Sequence, residues 1–294
     1  MDKEKKKGYN ILNSNMEDKD MCRINPRIDF VFKKLFGTEE NKNILIDFIN
    51  SIVSEEDQVE TIEIKNPYSS KDWEEQKVII VDIKAQNQNG TWFNIEMQIL
   101  EQAFFDKRAL YYWSKVYTEQ LTQGKKYFDL EKTISINILN FNKLEEENYH
   151  NCYKIINSNT GNKLNDQLEI HFIELQKYDE KLATRLDKWS HFLKNSENYK
   201  NELPKELAEN KNISKAFEIL ETMNLNPKEQ KLYEQELKSI RDLEGALYTR
   251  EIHAKKEISI EIANNLLDIL DNKTISEKVG LTEEEVEKLR KKIK

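Results

Sequence analysis

Two carboxylates, Asp82 and Glu96, lie in the stretch VDIKAQNQNGTWFNIEMQ (81–98), which otherwise has the composition of two buried strands. Burying an ionised carboxylate without a partner is costly, so two in one hairpin raise the question of whether they share a cation. Strand side chains alternate between faces. Val81, Ile83 and Ala85 therefore point one way, with Asp82 and Lys84 opposite. On the next strand Ile95, Met97 and Ile99 point one way, with Asn94, Glu96 and Gln98 opposite. A two-residue Asn89-Gly90 turn would set Asp82 against Met97. A three-residue turn over Gln88, Asn89 and Gly90, with Gly90 left-handed, sets Asp82 against Glu96, Lys84 against Asn94 and Ile80 against Gln98. Only the second register leaves one continuous apolar face, and it is the one expected. Like charges directly opposite each other destabilise a sheet, and two carboxylates at that separation suit a hard divalent cation such as Mg²⁺. The plainer alternative is a solvated sheet face on which Lys84 balances the acids.

The elements that must position this hairpin can be read along the chain. Residues 1–22 are polar and without period, and are expected to form a mobile tail. In NPRIDFVFKKLFG, Asn25 can cap a helix, Pro26 suits its first turn, and Ile28, Val31, Phe32 and Leu35 share a face. A second amphipathic run covers Ile44 to Val53. VETIEIKNP is a short strand ended by Asn66-Pro67, and KVIIVDIKAQ and TWFNIEMQIL are the two hairpin strands. A long helix carrying Arg108, Tyr112 and Lys115 follows, with Gly124 as its expected C-cap. TISINILNF is a further strand, and CYKIINS can pair with LEIHFIELQ. The order of helix, strands, helix, strands indicates an α/β domain built on a central mixed sheet flanked by helices. From about residue 182 strand signals cease. RLDKWSHFLKN is helical, a polar linker is expected over 196–212, and 213–294 reads as an all-helical region ending in a helix-turn-helix, ISEKVGLTEEEVEKLRKK.

Composition narrows the chemistry. The chain has 294 residues, 38% of them hydrophobic, enough for a core. Its net charge of −8 argues against broad adhesion to nucleic acid or anionic membrane, leaving room only for a local basic groove. No apolar run is long enough to span a bilayer, and Cys22 and Cys152 suggest no disulfide framework, so a soluble, cytoplasmic protein is expected. The seven glycines are too scattered for a dinucleotide or Walker loop, there is no GxSxG or HExxH, and the four histidines fall in no metal-ligand spacing. His150 and Cys152 are close in sequence, and the plain reading is that they are neighbours without a task.

The ordered set D-x-x-F-K-x-L-F-G (29–37), NPY (66–68), K-x-x-x-x-D (77–82), IEMQ (95–98) and R-x-L-Y-Y…Y…QL-x-x-G-x-x-Y (108–127) resembles the PD-(D/E)xK nuclease family transposases, also called recombination-promoting nucleases. The resemblance covers roughly residues 23–195 and implies a restriction-endonuclease-like core that hydrolyses DNA phosphodiesters with Mg²⁺ or, as a substitute, Mn²⁺. It implies that Asp82 is the motif aspartate and Glu96 the second metal ligand. Gln98 would stand at the position of the motif lysine and Asp29 would be the acid of the first helix. Val81 replaces the motif proline, a minor drift. Gln98 matters more, because an amide cannot take a proton from water as a lysine can. Lys33, Lys84 and Arg108 are candidates to hold phosphates or stabilise developing charge, with Tyr112 beside them on the substrate side or merely packing. A catalytically silent protein that keeps the scaffold for binding or regulation is the alternative. The last helix opens with Glu283, Glu284 and Glu285, which would repel phosphate, so the C-terminal helices are expected to serve oligomerisation or partner contact rather than DNA reading.

Overall fold

A computed structural model describes residues 24–66, 82–199 and 202–293. The expected tail, Pro67 and Tyr68 of the NPY motif, Lys77, and the opening of the first hairpin strand through Val81 lie outside the described residues. Within the remainder, six strands form one mixed sheet: β1 (Ile62–Ile64), β2 (Ile83–Asn87), β3 (Trp92–Gln98), β4 (Thr133–Leu139), β5 (His150–Lys154) and β6 (Leu168–Glu174). Their spatial order is β1-β2-β3-β4-β6-β5, with β3, β4 and β6 parallel and the other pairings antiparallel. This is the α/β, restriction-endonuclease-like arrangement expected from the sequence, with central strands buried on both faces as parallel strands require.

Helices cover both faces. The parallel register places Ser135, Asn137 and Leu139 of β4 level with Asn94, Glu96 and Gln98 of β3. Onto this face packs α3 (Phe105–Thr118), whose Phe105 and Ala109 bury against Leu139, Leu168, Ile170 and Phe172. The other face presents Ile83, Ile95 and Ile136. On that side stand α1 (Asp29–Phe36), α2 (Lys42–Asn50) and α4 (Arg185–Asn195). Their Phe36, Phe48 and Trp189 rings meet at centroid distances of 5.2 to 5.6 Å. Thr184 and Asp187 cap α4 reciprocally, so the helix begins where the sequence places it.

Two helix ends differ from expectation. Asn25 accepts hydrogen bonds from Arg27 in a turn ahead of α1, and the helix itself starts only at Asp29. The helix α3 stops at Thr118, six residues before Gly124, because Gln120 reaches back to the strand: its amide donates to the Glu131 carbonyl and Thr133 Oγ1 and accepts from the Glu131 N–H.

The described residues form two compact units, one up to Asn224 and one from Leu225. The stretch over 196–212 carries a short helix α5 (Lys205–Ala208), and α6 (Lys211–Thr222) buries Ile213, Ala216, Phe217 and Leu220 within the first unit. The second unit is helical: α7 (Pro227–Leu266), α8 (Asn272–Val279) and α9 (Glu283–Ile293). Gly280, at φ +74°, makes the turn between α8 and α9, and Ala263, Leu267, Ile275, Leu281 and Val286 form this unit's core.

Candidate functional site

The hairpin settles in the three-residue register. Ile83 pairs with Ile95 and Lys84 with Asn94, which continues to Asp82 opposite Glu96. Gly90 closes the turn at φ +88°, a conformation that L side chains seldom adopt. The acids do meet. The Asp82 backbone N–H donates to Glu96 Oε1 at 3.1 Å, and the Met97 N–H donates to Asp82 Oδ2 at 2.9 Å. The strand ladder gives way here to backbone-to-carboxylate bonds that lock the two side chains together. One oxygen of each acid is thereby used. Asp82 Oδ1 has Lys33 Nζ at 3.3 Å, and Glu96 Oε2 has Arg108 Nη2 at 3.8 Å, beyond hydrogen-bond range.

The pair is not on a solvated face. The side chains of Asp82 and Glu96 are only 15% and 3% exposed, because α3 covers the polar row of β3. Burial, then the neighbouring Asp29, pushes Asp82 up to about 7 against the pull of Lys33. Burial and Asp82 push Glu96 well above the usual carboxylate range, although the Asp82 N–H and Arg108 oppose the shift. Two hard oxygen donors that resist ionising side by side are what a divalent cation would relieve.

Other expected residues separate into two groups. Asp29 and Lys33 lie one turn apart on α1, 2.8 Å from each other, and Lys33 bridges Asp29 to Asp82. Two carboxylates around one ammonium raise the lysine's affinity for its proton despite its burial. Arg108 comes from α3, bonded to Gln102 and lying over the Phe105 and Tyr112 rings, 5.4 and 5.1 Å from their centroids. Gln98, two residues beyond Glu96 on the same face, is half-buried, and its side chain makes no hydrogen bond among the described residues. Lys84 is not brought to the acids: its ammonium bonds Glu119 and sits 4.9 Å from the Trp92 centroid, toward the opposite end of β3. Asn66 has a positioning role that sequence spacing does not show. Its Oδ1 accepts from the Lys84 N–H at 2.6 Å and its amide reaches the Asp82 carbonyl at 3.5 Å, which ties the end of β1 to the residue that must bend. Its signals in the sequence are the strand-ending Asn66-Pro67 step and the NPY motif.

Residues 26–250 match the family model of PD-(D/E)XK nuclease family transposases. The chain belongs to this family. No match was found among curated proteins or solved structures. Family members are nucleases by description, so a nuclease-like function follows. The match begins just ahead of α1 and takes in the whole sheet and both sides of the acid pair. No helix among the described residues is long and apolar enough to cross a membrane.

Proposed function

We propose that the protein is a Mg²⁺-dependent DNA endonuclease of the recombination-promoting, transposase-like type, working in the cytoplasm. The observation that carries this reading is the buried Asp82–Glu96 pair, flanked by Lys33 and Arg108, in a chain of this family. Asp82 Oδ1 and Glu96 Oε2 would hold the metal, since the other oxygen of each is taken by a backbone N–H. Such an ion polarises a phosphoryl oxygen and lowers the pKa of bound water.

The chain's own groups supply the rest. Lys33 holds Asp82 in place directly and is itself held by Asp29, and it would offer positive charge to a phosphate beside a bound metal. Arg108 contributes charge from the other side, with Tyr112 holding its guanidinium plane. Gln98, in the place of the motif lysine, would orient water through its amide but takes no proton, so proton removal is left to solvent. We assign these roles to the unit up to Asn224. We assign self-association to the helices after Leu225, given the glutamates that open α9.

The test is nicking of supercoiled plasmid by purified protein with Mg²⁺, Mn²⁺ or EDTA. Metal-dependent nicking that Asp82→Ala abolishes is the expected result. Equal nicking by wild type and Asp82→Ala would remove the assigned site. DNA binding with no cleavage under any metal would favour the silent scaffold that Gln98 keeps in view.

A further inference from the structure

Sequence spacing gives the histidines and cysteines no metal site, but strand pairing brings one of each together with a glutamate. Cys152 of β5 stands directly across from His171 of β6, and Lys154 across from Glu169. Cys152 Sγ lies 3.9 Å from His171 Nε2, and the same nitrogen lies 2.9 Å from Glu169 Oε1. The three atoms fall within 4.8 Å of one another. His171 and Glu169 are buried, whereas Cys152 opens to solvent on the edge strand. Local sequence could not show this, because Cys152 and His171 are 19 residues apart and meet only through the β5–β6 register.

Two readings compete. In a Cys-His-acid nucleophilic arrangement, the thiol and the orienting acid address opposite nitrogens of the imidazole. Here both address Nε2, while Nδ1 faces His150 Nε2 at 2.9 Å. That geometry excludes relay but is the pattern of ligands around one point. We propose that Cys152, His171 and Glu169 form a binding site for a transition-metal dication of the Zn²⁺ class. With ordinary Zn–S, Zn–N and Zn–O bond lengths, tetrahedral ligands stand about 3.4–3.6 Å apart, so the imidazole separations need changes of about half an ångström, and the thiol and carboxylate, within 4.8 Å of each other, close by up to about 1.2 Å as the exposed Cys152 side chain turns inward.

Its surroundings fit that class and not Mg²⁺. Glu169 Oε2 is already neutralised by Lys132 and Lys154 at 2.9 and 2.8 Å, with Lys132 bonded in turn to Asp57 at 2.6 Å. The acid therefore offers only Oε1, and affinity rests on thiolate and imidazole, which select borderline-soft ions. His150, stacked on His171 at a centroid distance of 5.1 Å, can accept from Nδ1–H and so hold Nε2 in the ligating tautomer. Three protein ligands next to an exposed edge leave a fourth position to water. The site is separate from the acid pair. His171 is level with Ile136 and Ile95, on the sheet face opposite Glu96 and two strands away.

The full chain, stripped with chelator, would be titrated with Co²⁺ and followed by near-ultraviolet absorption, then with Zn²⁺ against a chromophoric chelator. A thiolate-to-cobalt charge-transfer band is expected at one equivalent. Cys152→Ser, a near-isosteric change on an exposed strand, should remove the band while leaving circular dichroism unchanged. His150→Ala should weaken Zn²⁺ binding roughly 10–100-fold. Cys22→Ser and Asp82→Asn should keep the band. No charge-transfer absorption in the wild type, a band that survives Cys152→Ser, or equal Zn²⁺ affinity of wild type and Cys152→Ser would overturn the site.

Discussion

Replacing Asp82 by Asn separates the two demands made on the acid pair. Asp82 titrates at about 7 in the fold and at 3.8 in an unstructured chain, burial and Asp29 outweighing Lys33. Between those pH values the folded protein keeps a proton that the unfolded chain gives up. Stability of the metal-free protein therefore falls as pH rises through that window, by roughly 1.4 kcal/mol per pH unit and on the order of 4 kcal/mol in all. Glu96 is shifted in the same direction and adds to the slope. An asparagine can still accept the Met97 N–H but carries no charge, so Asp82→Asn should flatten the slope and raise stability near neutral pH. Metal reverses the ranking. At a Mg²⁺ concentration 100 times its dissociation constant the wild type should gain about 2.7 kcal/mol. The gain should fade toward pH 5, where protons compete for the same oxygens. Urea unfolding in EDTA and in Mg²⁺, at pH 5 and 7.5, reads both effects. If wild type and Asp82→Asn show the same pH slope without metal, or gain equally from Mg²⁺, the buried acid pair is not a metal site.

Four further outcomes are expected. Gly90→Ala, at φ +88° and with its new Cβ 3.1 Å from the Glu131 side chain, should cost about 1–2 kcal/mol in thermal or urea unfolding by straining the turn that sets the register. Asp47→Ala should cost about 1–3 kcal/mol, since it leaves the buried Trp189 Nε1–H and the Asn210 amide without their acceptor, while the half-exposed Arg185 stays solvated. Those donors hold Asp47 below the usual range against its burial, so the stability it contributes in the wild type should be lost as pH falls through its folded pKa. Truncation after Asn224 should leave a cooperatively unfolding first unit, whereas truncation after Asn212 removes Phe217 and Leu220 from their core and should not. Gln98→Lys should preserve metal-dependent nicking, and its loss would show that the amide position is shaped for something other than water.

Parity and turn chemistry specify much of the site from the sequence alone. Alternation along β2 and β3, with Gly90 as the left-handed residue, is enough to set Asp82 opposite Glu96, because a slip of one residue would turn every apolar side chain of the hairpin outward. The same logic could not tell that the polar row is buried. Alternation reads as one wet face and one dry face, and only the crossing of α3 over Asn94, Ser135 and Asn137 closes the second face. Cations were the least legible. Lys33 is reachable by helix spacing from Asp29, but whether Lys84 turns to Glu96 or to Glu119 is decided by a flexible side chain choosing among acids remote in sequence. Cys152 and His171 mark the limit from another side. Each is unremarkable in its own segment, and their meeting is a consequence of β5 joining β6 antiparallel at one register out of several that the sequence would allow. Local chemistry thus shows itself where the positioning element is local, and waits on topology where it is not.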